Sequence, residues 1–66
     1  MMMKINSGES YNDFIRRIRL ASKLTQSEFA LKLGYSPETI SRWENGKRVP
    51  YFTQRVIDEF AKKING

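Results

Sequence analysis

Few side chains in this 66-residue chain could do covalent chemistry, because it contains neither cysteine nor histidine. That removes disulfides, thiolate nucleophiles and thiolate metal sites, together with the commonest general base and the commonest metal ligand. The Asp and Glu residues number seven and are scattered over expected helix starts and surface positions, with no pairing that suggests acid and base roles. Most enzyme chemistry is therefore out of reach, and neither a cofactor nor a metal is expected. What remains is hydrogen bonding and positive charge. Twelve Lys and Arg leave a formal net charge of +5, which favours a polyanionic partner through long-range attraction without saying which polyanion.

These groups must be positioned by helices. Tyr11, Phe14, Ile15, Ile18 and Ser22 recur at helical spacing behind Ser7, Glu9 and Ser10, any of which can cap, so a first helix is expected over residues 10–23. Thr25 and Glu28 form a capping box that opens a second, short helix with Phe29, Ala30 and Leu33 on its apolar face, ended by Gly34. Ser36 caps a third, Pro37 suits its first position because the missing amide would be unpaired there, and Gly46 closes it after Asn45. Beyond the basic pair Lys47 and Arg48, Pro50 interrupts the pattern. Val56, Ile57, Phe60, Ala61 and Ile64 then resume it over residues 53–63. No alternating strand pattern, repeat or low-complexity stretch occurs. The expected fold class is all-α: a compact four- to five-helix bundle over residues 9–66 behind a flexible tail over residues 1–8. No apolar run approaches the roughly 20 residues of a membrane span, and the start lacks a secretory signal's apolar stretch. No membrane association is expected, and the location should be cytoplasmic.

Two short helices joined by a tight Gly-containing turn can present a helix N-terminus to the DNA major groove. The stretch Leu24-Thr25-Gln26-Ser27-Glu28-Phe29-Ala30, then Leu33-Gly34-Tyr35-Ser36, then Ile40-Ser41-Arg42-Trp43-Glu44-Asn45-Gly46-Lys47 resembles the Cro and phage-repressor, or XRE-type, helix-turn-helix family. The resemblance runs from Phe14 to Ile64 and implies a lambda-repressor-like domain with a central helix-turn-helix. It implies that Gln26 contacts a phosphate or a base edge, and that Ser36, Pro37, Glu38, Thr39 and Arg42 line the base-reading surface, with Ser41 also facing outward. It places Asn45, Lys47 and Arg48 where relatives grip the sugar-phosphate backbone, contacts that set register and affinity.

Within that set the residue types differ in what they can read. A guanidinium such as that of Arg42 can donate two parallel hydrogen bonds to guanine O6 and N7, or clamp a phosphate. Thr39 can offer a methyl to thymine or a hydroxyl to phosphate, and Glu38 can accept from cytosine N4 or simply favour the helix N-terminus. Pro37 departs from relatives with a polar reader there and offers apolar contact only. Tyr35, often aliphatic in relatives, either packs its ring inward or turns its hydroxyl to a phosphate. Ile40 and Trp43 belong to the inner face, expected against Phe14, Ile18, Phe29 and Phe60. The resemblance also implies that Glu44 pairs with Arg19. Arg16, Arg17, Lys23 and Lys32 read as a general solvated or attractive surface.

The function expected is sequence-specific binding of double-stranded operator DNA by a small regulator, most simply a Cro-like repressor. Residues 37–45 would lie in the major groove, and a homodimer would set two such helices about 34 Å apart on an inverted repeat. Tyr51, Phe52, Val56 and Ile64 offer apolar groups for such a dimer. The alternatives are an antitoxin-like module with a protein partner, which binds DNA as well, and a nonspecific nucleic-acid binder governed by charge. The absence of an evident effector-sensing segment points toward a phage, plasmid or mobile-element regulator.

Overall fold

The computed structural model describes residues 3–64; Met1 and Met2 of the expected tail, and Asn65 and Gly66, lie outside the described residues. Four helices follow in order: α1 (Tyr11–Ala21), α2 (Gln26–Leu33), α3 (Pro37–Glu44) and α4 (Tyr51–Lys62), with no strand among the described residues. Each of the first three starts at a polar cap in extended conformation, because a helix leaves its first amides without internal partners. The Ser10 side chain accepts from the Asp13 amide and Ser36 from the Thr39 amide. At Thr25 the capping box is reciprocal, with Glu28 N–H on the Thr25 hydroxyl and Thr25 N–H on the Glu28 carboxylate at 2.8 Å. Pro50 precedes α4 without a side-chain cap, and its φ of −57° already suits a helix start. Tyr51 and Phe52 thus form the first turn of α4, two residues before the expected start. Both are exposed and add nothing to the apolar stripe that marks the rest of the helix.

The helix ends use left-handed residues. Gly34 (φ 84°) ends α2, and Gly46 (φ 94°) ends α3. Past α3, Lys47 N–H reaches back to the Arg42 carbonyl and Gly46 N–H to that of Trp43, the paired bonds of a Schellman motif. The end of α1 has the same paired bonds, from Leu24 N–H to Arg19 and Lys23 N–H to Leu20, but here the left-handed residue is Lys23 at φ 59°.

Every helix contributes to one core. Ile15 and Ile18 of α1, Phe29 of α2, Ile40 of α3 and Ile57 of α4 are fully buried, and Trp43 and Val49 close the cluster. Burial stabilises by roughly 1.5–3 kcal/mol per large apolar side chain. The Phe29 and Phe60 rings meet edge to face at 5.4 Å, an arrangement the ring quadrupoles favour.

The described part of the expected tail lies against the bundle. Met3 N–H donates to the Ala61 carbonyl at 3.2 Å. Arg17 donates to both Glu9 carboxylate oxygens at 2.9 Å and to the Lys4 carbonyl. Arg17, expected on a general solvated surface, is thus half-buried in a clasp that holds the leading segment to α1.

Candidate nucleic-acid interface

The orientation of α3 follows from what its inner face touches. Ile40 is fully buried and Trp43 is 6% exposed. The Tyr35 ring stacks edge-on against Trp43 at 5.0 Å, and the Tyr35 hydroxyl lies 2.9 Å from that of buried Thr53. Of the two readings of Tyr35, the packed one therefore holds: both its ring and its hydroxyl are engaged within the bundle.

Beside Trp43, the Glu44 carboxylate receives Arg19 as a fork, Nε to Oε2 at 2.6 Å and Nη2 to Oε1 at 3.1 Å. The side chains are only 12% and 5% exposed. Arg19 Nη1 also donates to the Leu24 carbonyl at 2.9 Å. The hydrogen bonds that Arg19 donates to Glu44 raise its pKa above the ordinary value, so the guanidinium stays charged at any working pH. A planar fork on a carboxylate fixes both partners in direction as well as distance. The α1–α3 pair implied by the resemblance is present, and it welds the end of α3 to α1.

Gln26 joins the same network, its Nε2 donating to Glu44 Oε1 at 3.2 Å. One amide hydrogen is thereby committed internally, while the second and the amide oxygen keep their capacity for another partner. Gln26 is thus held in place by the ion pair that holds α3.

The expected site residues divide once their contacts are known. Gln26, Pro37, Glu38, Ser41 and Arg42 line a single shallow, open depression at the junction of α2 and α3. Pro37, Glu38 and Arg42 are exposed, and Gln26 and Ser41 half-buried. Ser36, Thr39, Asn45, Lys47 and Arg48 lie outside its lining. Ser36 and Thr39 are engaged with one another, their hydroxyls 2.9 Å apart while Ser36 caps the helix. Asn45 turns back on its own helix, with Nδ2 on the Ser41 carbonyl at 2.7 Å. Lys47 and Arg48 are exposed on the loop between α3 and α4. Among the described residues the ion pairs are Arg17–Glu9, Arg19–Glu44 and Lys62–Glu59; Glu38 and Arg42, one turn apart, are not among them.

Asn12 is the residue that sequence reasoning missed. From the first turn of α1 its Nδ2 donates at 2.7 Å to the Trp43 carbonyl and, at the same distance, to that of Lys47. The signal was its register: Asn12 lies three residues before Ile15, on the buried side of the helix, where a short amide needs a partner. Tyr11 beside it ties α1 to α4, with its hydroxyl 2.8 Å from the Gln54 carbonyl and 2.9 Å from Asp58 Oδ1. Burial, then the Asp58 carboxylate, push the Tyr11 hydroxyl pKa up, so it remains a donor.

A short helix entered through a capping box, a turn at left-handed Gly34, and a second helix with one face locked and the other open define a helix-turn-helix domain. A helix-turn-helix family model matches residues 15–65. The chain belongs to that family, the XRE type with Cro- and C1-like members, whose domains are DNA-binding regulators. It is also similar to the vegetative-specific protein H7 of Dictyostelium discoideum, 37% identical over 51 residues that are 77% of this chain and 47% of that protein. The chain therefore spans about half the length of this curated relative. No solved structure matches it. Among the described residues, no helix is long and apolar enough to cross a membrane.

Proposed function

We propose that this chain is a sequence-specific regulator that binds double-stranded DNA with the outer face of α3 in the major groove. The observation carrying this reading is the depression shared by Gln26, Pro37, Glu38, Ser41 and Arg42, exposed on a helix whose opposite face is fastened by Trp43, Glu44 and Arg19. In it Arg42 is the base reader, bidentate to a guanine. Glu38 and Ser41 supply an acceptor and a hydroxyl to neighbouring base edges, and Pro37 contributes apolar contact. Gln26 contacts the phosphate or base edge at the rim, while Ser36 and Thr39 shape the helix start. Asn45, Lys47 and Arg48 provide the backbone grip that sets register and affinity.

The regulator works as a repressor by occupying an operator. Two copies on an inverted repeat supply the specificity that one short helix lacks. Tyr51 and Phe52, 72% and 73% exposed at the start of α4, are the groups offered for pairing. Selection of sites from a random duplex pool, followed by affinity measurements on the best site and on scrambled DNA at physiological salt, tests the reading. The expected outcome is an inverted-repeat site bound at least ~10³-fold more tightly than scrambled DNA. No enriched site, with affinity tracking salt alone, would sink it.

A further inference from the structure

The loop between α3 and α4 carries Lys47 and Arg48 on a backbone held from two sides. Asn12 spends both hydrogens of its amide nitrogen, one on the Trp43 carbonyl and one on that of Lys47, at 2.7 Å each. Lys47 N–H is meanwhile on the Arg42 carbonyl at 3.1 Å. Two residues further on, the Val49 side chain is buried in the core, 4% exposed, and its carbonyl accepts from Gln54 Nε2 at 3.0 Å. Arg48 therefore lies between two fastened points, with both basic side chains exposed. Asn12 also precedes residues 15–65, the segment that the family model matches.

We infer that Asn12, assisted by Gln54, is a positioning residue that fixes the Lys47–Arg48 loop for contact with the DNA phosphate backbone; this rests on the DNA-binding reading above. Phosphates recur along the duplex at fixed spacing, so a loop already fixed loses less conformational entropy on docking than one that must first be ordered. Asn12 touches no base in this scheme. Its removal should weaken specific and nonspecific binding by the same factor, unlike loss of a base reader.

The test is a double-mutant cycle on the full chain. Affinities for a selected duplex and a scrambled duplex are measured across a salt series for wild type, Asn12→Ala, Lys47→Ala/Arg48→Ala and the triple variant. Circular dichroism confirms that each is folded. Asn12→Ala is expected to bind both duplexes about tenfold more weakly, with a salt dependence shallower by about one phosphate contact. Added to Lys47→Ala/Arg48→Ala, it should cost less than about twofold, because the groups it positions are gone. Equal losses in both backgrounds, or a changed specificity ratio, overturn the inference. If Asn12→Ala does not fold, Gln54→Ala, which frees the Val49 carbonyl, replaces it in the cycle with the same expectations. Wild type that binds neither duplex overturns the DNA-binding reading itself; wild type that binds while the positioning variant binds equally well overturns only the role of Asn12.

Discussion

The two faces of α3 carry different kinds of residue and different degrees of constraint. On the inner side, Ile40 and Trp43 are buried and Glu44 is gripped by Arg19 and Gln26. On the outer side, Pro37, Glu38 and Arg42 are exposed. The inner face fixes where the helix lies, so the outer face can change its side chains, and with them the DNA sequence it would read, without unsettling the bundle. Stability and recognition should therefore be separable by mutation along a helix of eight residues.

The strongest way to break that comparison is to cut the inner face. Arg19→Ala takes the charged partner from the 5%-exposed Glu44 carboxylate and leaves it the hydrogen bond from Gln26; removing one partner of a buried pair costs ~3–5 kcal/mol. Urea unfolding should show that loss, a large part of a small domain's total stability, and the fraction still folded should keep its base preference. A loss below about 1 kcal/mol would mean the pair is ornamental. Cutting the outer face is the complement. Arg42→Ala should change unfolding by no more than about 0.5 kcal/mol while removing ~1–3 kcal/mol of discrimination at one base position, measured with single-substitution duplexes.

A smaller effect compares the ends of α1 and α3, which close with the same hydrogen-bond pattern around Lys23 and Gly46 respectively. A side chain in left-handed conformation costs roughly 1–2 kcal/mol that glycine escapes. Lys23→Gly should raise stability by up to about 1 kcal/mol, partly offset by the freer unfolded chain, and Gly46→Ala should lower it by a similar amount. Thermal unfolding of both variants compares the two ends directly.

The smallest effect is in acid. The Glu28 carboxylate is held below its ordinary value of 4.5 by hydrogen bonds from the Thr25 backbone and side chain, and Glu9 by Arg17 and then the Asn6 amide. Carboxyls depressed in the folded state contribute stability that is present above the unfolded value and lost as pH falls through the folded one. The melting temperature should therefore decline as pH drops below about 4.5, and Glu9→Gln and Glu28→Gln should each flatten that decline slightly.

Much of the positioning of α3 was legible in the sequence because it rests on local rules. The Thr25–Glu28 box, Ser36, Pro37, Gly34 and Gly46 announce helix starts and stops through contacts within a few residues. The inward packing of Ile40 and Trp43 follows from helical period. The Arg19–Glu44 pair was implied by the resemblance, since its partners are 25 residues apart and no periodicity joins them. For the same reason Asn12, with partners 31 and 35 residues away, went unread, as did the clasp of Arg17 on Glu9. The place of Asn45 in the backbone grip is likewise implied by the resemblance alone; its exposed side chain also bonds the Ser41 carbonyl one turn back, a local contact typical of this residue type. Lys23 gave no sign of a left-handed conformation because lysine has no preference for it.

The central claim, that the outer face of α3 reads bases while the inner face only holds it, comes down to Arg42. Affinities of wild type and Arg42→Ala should be compared across every single-base variant of the selected site. If the account is right, the mutant stays fully folded and loses preference at one guanine position while keeping the rest of the profile. An unchanged profile, or a uniform loss at all positions, would contradict it and leave Arg42 as a phosphate contact or a bystander.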